Sequence, residues 1–193
     1  MLSSICYSEQ KNTSMESSFN RRQFVKYVSS SALVLASGGA YYWLNKPYIG
    51  SEMAIDNMLD ELESLRKKTL RKSGWDAART FHHLAQSIEF SMTGFPETKS
   101  KLFQKTVGKV AFKFFNARGE MYHGLQDAIP GEVIHLSGEA AIGLNRLKLA
   151  LKDFKNYSSD LKPHFAYGEL NHADYSIAHV LHIKDHLQEF ELL

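Results

Sequence analysis

The sequence predicts an all-α protein: an up-down bundle of four long helices with an elaborated connection between the second and the third. Three observations carry this. Four segments repeat their apolar residues at steps of three and four, no segment shows convincing strand alternation, and a connection over 94–137 separates the second segment from the third. The first segment runs from about Ser51 to Leu70, with Ile55, Met58, Leu59, Leu62 and Leu65 on one stripe and Gly74 beyond its end. The second runs from about Asp76 to Thr93, with Ala77, Phe81, Leu84, Ala85, Ile88 and Met92 facing inward. Gly94 and Pro96 stop it. The third covers about Gly138 to Tyr157, with Ala141, Leu144, Leu147, Leu151 and Phe154 inward and Pro163 past its end. The fourth covers about Asn171 to Phe190, with Asn171 or Asp174 as the N-cap. Within the long connection, "KSKLFQKTVGKVAFKFFNARG" reads as a shorter helix broken at Gly108, followed by the loop "LQDAIPGEVIH".

Composition narrows the function. Hydrophobic residues make up 44% of the 193 residues, enough for a proper core in one domain over 51–193. The 23 basic and 21 acidic residues nearly cancel, which argues against nucleic acid as a partner. The densest basic run, "RKKTLRK" at 66–72, ends a helical pattern, where cations are favoured by the helix dipole. The single cysteine, Cys6, excludes an internal disulfide framework.

Residues 1–50 read as an address. "NRRQFVK" at 20–26 precedes the mildly apolar, small-residue stretch "YVSSSALVLASGGAYYWL" at 27–44, and no acidic residue occurs from Asn20 to Gly50. The pair Arg21 and Arg22 resembles the twin-arginine (Tat) export signal, with Asn20 in place of Ser or Thr and Val25 in place of Leu. Met15 then fits as the true start. Small residues occur at 37–40 without a clean Ala-x-Ala, so an uncleaved membrane anchor competes with cleavage. The signal implies a periplasmic or membrane-anchored protein that uses the Tat machinery. That route carries folded proteins, often with a metal already in place.

The chemistry gathers near the chain end. "IAHVLHIKDHLQEF" at 177–190 holds His179, His182 and His186 within about 60° of one another on a helix, bordering the apolar stripe of Val180, Ile183, Leu187 and Phe190. Partly buried histidines satisfied by carbonyls or carboxylates are the plain alternative. The pair His182 and His186, four apart, has the geometry with which two imidazoles reach one divalent ion. Neutral imidazole suits Zn, Ni or Fe. A further ligand must come from another helix, and "FHHLAQSIEF" offers His82 and His83. Neighbouring helical residues diverge by about 100°, so only one faces a given ion. The apolar stripe favours His82. Glu89 and Asp185 are close enough in sequence to orient a histidine or act as a base. His123, His135 and His172 have no identifiable partner in the sequence.

Trp75 with the run "HLAQSIEFSMTGFP" from His83, "IPG" at 129–131, "LKPHFAYGEL" at 161–170 and "HIKDHLQEF" at 182–190 form an ordered set. That set resembles the DinB-like superfamily, and within it the uncharacterised domain-of-unknown-function family 1569, over roughly residues 52–192. The resemblance implies an up-down-down-up four-helix bundle with a divalent metal held by His83, His182 and His186. The "HLAQ" frame selects His83 over His82. Many superfamily members follow the last histidine with Arg-Gly-Gln, where this chain has "HLQEF". Characterised relatives imply a metal-dependent hydrolase or a thiol-dependent transferase acting on a small molecule. A metal- or ligand-binding bundle without activity is the alternative, and a homodimer is an expected assembly. His164, in the "PHFAYG" loop, either lines the site or shapes the loop, and His179 falls to an outer or core role.

Overall fold

The computed structural model describes residues 51–66, 70–72, 74–133 and 138–192. The leader read from residues 1–50, with Cys6, Met15, Arg21 and Arg22, lies outside the described residues, as does His135. Among the described residues the chain is all-α, apart from one short ribbon. Its helices are α1 (Ser51–Leu65), α2 (Ala77–Thr93), α3 (Lys101–Phe103), α4 (Lys109–Arg118), α5 (Ala140–Lys155) and α6 (His172–Leu187). A π turn, Gln104–Gly108, joins α3 to α4.

Capping chemistry sets the boundaries that position the site. The Asp76 side chain accepts the Arg79 amide at 2.7 Å and starts α2, and Gly94 ends it. Of the two candidate caps for the last helix, Asn171 serves: its side chain accepts the Asp174 amide at 2.8 Å. Two expected ends move inward. The first helix stops at Leu65 and the last at Leu187, because Leu70–Lys72 (β1) and Phe190–Leu192 (β2) pair as antiparallel strands. The ribbon gives both segments backbone partners that a frayed helix end lacks. It also brings Phe190 onto Phe81, ring centroids 5.6 Å apart.

The main core contains Ile55, Met58, Leu62, Phe81, Leu84, Ile88, Leu147, Leu151, Phe154 and Ile183. These are the apolar positions that helical spacing picks out. Ala141 is exposed instead, and Gly143 and Leu144 take the buried side of the first turns of α5. α2 packs along α5 and against α6, while α1 packs against α6 and α5, so the four long helices close a ring around this core. A smaller cluster, Ala111, Phe115, Met121, Ile177 and Leu181, fixes α4 to the outer side of α6. Among the described residues no helix is long and apolar enough to cross a membrane.

The expected break at Gly108 does not occur. The helix passes through as the π turn, because this glycine lies against the 164–168 loop. A side chain there would collide with the carbonyl oxygen of Ala166. The Gln104 side chain seals the contact by donating to the carbonyls of His164 and Phe165, at 3.3 and 3.2 Å. Gly108→Ala is expected to lower the unfolding free energy by about 1–3 kcal/mol, as overpacking against rigid backbone does. Urea denaturation followed by far-UV circular dichroism checks this, with the native helix content unchanged.

Candidate metal centre

Four histidines converge at one end of the helix ring: His83 from α2, His182 and His186 from α6, and His123 from the loop after α4. One nitrogen of each lies within 4.8 Å of the others, close enough to hold a metal ion. His182 and His186 sit one turn apart with ring centroids 5.0 Å apart. His83 lies 5.2 and 5.1 Å from them, and His123 lies 4.8 and 4.9 Å away. His83, not His82, faces this cluster. His82 instead accepts a hydrogen bond from Arg146 at 3.2 Å. Arg146 also clamps Glu89 with two bonds of 2.9 and 2.6 Å, so Glu89 serves an α2–α5 ion pair and not the cluster.

Carboxylates orient two of the imidazoles. The His83 ring nitrogen Nδ1 lies 2.8 Å from Glu132 Oε2, and His123 Nδ1 lies 2.6 Å from Asp185 Oδ2. Burial pushes the Glu132 carboxyl upward. The hydrogen bond and charge of His83, the Ile129 amide and Arg79 outweigh it and hold the group below the usual carboxylate range. An ionised carboxylate only accepts, so His83 Nδ1 donates, and in the neutral form of the ring the lone pair is then on Nε2. His123 Nδ1 faces the Asp185 carboxylate in the same manner. Both Nε2 atoms are buried and make no hydrogen bond. Burial also pushes His182 well below its usual value, with the imidazoles of His123, His186, His83 and His179 adding to the effect. A neutral imidazole is the form that binds a metal.

Each carboxylate has a local reason to be where it is. Asp185 precedes His186 on α6 and reaches the opposite side of the cluster. Glu132 closes a turn in which the Glu132 amide donates to the Ile129 carbonyl at 2.9 Å, and the Ile129 amide donates to the Glu132 carboxylate at 2.7 Å. Pro130 and Gly131, with φ of 76° at the glycine, supply the residues a type II turn requires. The "IPG" motif is thus the turn that delivers Glu132. Trp75 packs edge-on to His83 at 5.1 Å, and the Arg79 guanidinium covers Trp75 at 4.1 Å.

The donor set fits a divalent ion. Zn–N bonds of about 2.0–2.1 Å place tetrahedral ligand nitrogens about 3.4 Å apart, within reach of small ring rotations here. The carboxylate–imidazole pairs are the outer support that metal-ligating histidines normally have. His123 and Glu132 escape a reading of the sequence because their partners are far away in the chain and they stand in irregular segments. The one usable signal for Glu132 was its place directly after a Pro-Gly turn.

Three further described histidines, His164, His179 and His172, serve the fold. His164 is buried, stacks on Tyr167 at 4.2 Å, and its Nδ1 accepts the amides of Ala166 and Tyr167 at 3.1 Å each, so it shapes the loop. His179 meets Ser91 Oγ at 3.2 Å and stacks on Tyr175 in the core. His172 bonds the Phe154 carbonyl at 3.0 Å.

Burial pushes both His164 and His179 down to about 3, with charge from His179 and His172 respectively adding to it. The unfolded chain protonates at about 6.5, so it binds protons before the native state does. Stability is therefore full above about pH 6.5 and declines as the pH falls from there toward about 3. His179→Gln is expected to reduce that slope by up to about 1.4 kcal/mol per pH unit, measured from urea midpoints between pH 7 and 4.5.

No curated protein and no solved structure matches this chain. The family described as "Protein of unknown function (DUF1569)" matches residues 52–192, the helical body with all four clustered histidines and both carboxylates, and the chain belongs to that family.

Proposed function

We propose that this chain is an exported metalloprotein in which His83, His182 and His186, joined by His123, hold one divalent ion such as Zn, Ni or Fe. One observation carries the reading: His83 and His123 have their outer nitrogens bonded to Glu132 and Asp185, while their buried Nε2 atoms are left without hydrogen bonds. A buried polar atom without a partner is costly, and a metal ion held between His83 and His123 removes that cost for both at once. The helix ring is consistent with the up-down-down-up DinB-like bundle, in which a metal site is built from one helix-two histidine and a His-x-x-x-His pair on the last helix.

The chemistry we assign is that of a metal-dependent hydrolase or thiol-dependent transferase acting on a small molecule. A bound divalent ion supplies a Lewis acid that lowers the pKa of a water or thiol. The chain's part is to hold the imidazoles neutral and oriented through Glu132 and Asp185, and to exclude bulk water with Trp75. Export through Arg21 and Arg22 places the protein in the periplasm or anchored to the membrane facing it, and assembly as a homodimer belongs to the same proposal. A second reading, a metal-binding bundle without activity, is favoured by His123: a fourth imidazole occupies the position a substrate needs in a tetrahedral three-histidine site.

Two measurements test this. The full chain, purified without a tag or chelator, is expected to carry about one divalent ion by elemental analysis. His182→Ala with His186→Ala should lose it while keeping the helical spectrum. Retained metal, or none in the wild type after soaking with Zn, Ni or Fe, contradicts the reading. Glu132→Gln and Asp185→Asn should each weaken metal affinity about 10–100-fold in a chelator competition, as outer-ligand substitutions do.

A further inference from the structure

The segment from α3 through α4 carries a charge pattern that the metal centre does not use. Six of the chain's 23 basic residues, and none of its 21 acidic ones, fall between Thr98 and Arg118. Lys101, Lys105, Lys109 and Lys113 stand at four-residue steps, all exposed, and none makes an ion pair among the described residues. In an α-helix a four-residue step overshoots a full turn by about 40°. The π turn at Gln104–Gly108 is underwound, so a step across it falls short of a turn. The two drifts offset one another and keep the lysines in one row.

Beside that row lie exposed aliphatic side chains. Leu102 is 75% exposed, Val110 46% and Val107 37%. The opposite face, with Gln104, Gly108, Ala111, Phe112 and Phe115, is buried against α6 and the 164–168 loop. The outer face therefore joins unpaired lysines to protruding aliphatics, with all the fully buried aromatics turned inward.

We propose that this outer face of α3–α4 docks on an anionic bilayer surface, with Leu102 and Val110 entering the acyl boundary and the four lysines reaching lipid phosphates. Lysines beside inserted aliphatics are the composition of an interfacial helix, their stems lying along the apolar layer and their ammonium groups in the headgroups. A single-stranded nucleic acid would call for fully exposed aromatic platforms for its bases, whereas Phe103 and Phe114 are partly buried and Phe112 and Phe115 are buried. Docking here also sets α4 and the His123 loop that follows it next to the membrane.

A site-specific probe separates this face from any membrane binding by residues 1–50. In the full chain, Cys6→Ser removes the native thiol, and an environment-sensitive fluorophore is attached through Leu102→Cys or, as a control, Ile142→Cys, exposed on α5. Vesicles of phosphatidylcholine with 30% phosphatidylglycerol are expected to blue-shift the probe at 102 and leave 142 unchanged. Pure phosphatidylcholine or 0.5 M salt should abolish the shift. Replacing Lys101, Lys105, Lys109 and Lys113 with Gln should raise the lipid concentration for half-maximal shift by up to about 1,000-fold. The proposal is overturned if the chain sediments with vesicles while the probe at 102 stays unshifted. It is equally overturned by the same shift on neutral vesicles, or by a shift on adding single-stranded DNA but not vesicles.

Discussion

The structure turns on two short contacts, Glu132 with His83 and Asp185 with His123. An imidazole buried in a helix bundle has a donor end and an acceptor end, and both need partners. The carboxylates take the donor ends. The acceptor ends then have a fixed direction, inward, toward two further imidazoles on α6. Unprotonated nitrogens brought this close repel. Protonating one of them is opposed by burial and by its neighbours, as the depressed basicity of His182 records. The four imidazoles lie close enough together to hold a metal ion, which would answer both difficulties.

Other parts of the fold follow from keeping that arrangement in place. The apolar core of α1, α2, α5 and α6 fixes the separation between His83 and the α6 pair. The smaller cluster around Ala111, Phe115 and Met121 carries the chain from α4 across α6, so that His123 arrives two residues beyond Met121. The turn at Ile129–Glu132 anchors the far side. Its carboxylate bonds the turn's own Ile129 amide as well as the imidazole, so Glu132 is oriented before His83 meets it. Three of the four imidazoles stand on rigid helices. The fourth rests on a loop that gains its rigidity from packing and from Asp185.

What the sequence discloses follows the range of each interaction. Helical periodicity is local, so the long helices, most of their buried faces, the start of α2 near Asp76, and Asn171 as one of two candidate caps were legible. The pair His182 and His186 was legible for the same reason, because one turn of helix separates them. The choice of His83 came from the family frame against the apolar stripe, and the structure turns His83 to the cluster while His82 bonds Arg146. The stripe misled because α2 buries polar residues as well, including Thr80, Gln86 and Ser91. His123 and Glu132 were not legible. Each meets its partner across dozens of residues from a segment without period, and no spacing rule reaches that far. The β1–β2 ribbon was missed for a related reason: three-residue strands pairing opposite ends of the body leave no alternation to detect.

The histidines that do not join the cluster sharpen the interpretation of those that do. His172, His179 and His164 are all at least half-buried, and each is met by the protein itself. His172 bonds a carbonyl, His179 bonds a serine whose hydroxyl donates onward to the Ile88 carbonyl at 2.6 Å, and His164 accepts two backbone amides. Two of these stand on the same helix as His182 and His186. Among the described residues, these three imidazoles thus have hydrogen-bond partners within the protein. His83 and His123 depart from that at the same place, each with its outer nitrogen held and its inner one left unbonded. Such an arrangement suits a ligand, because a metal bond requires an oriented and unprotonated nitrogen.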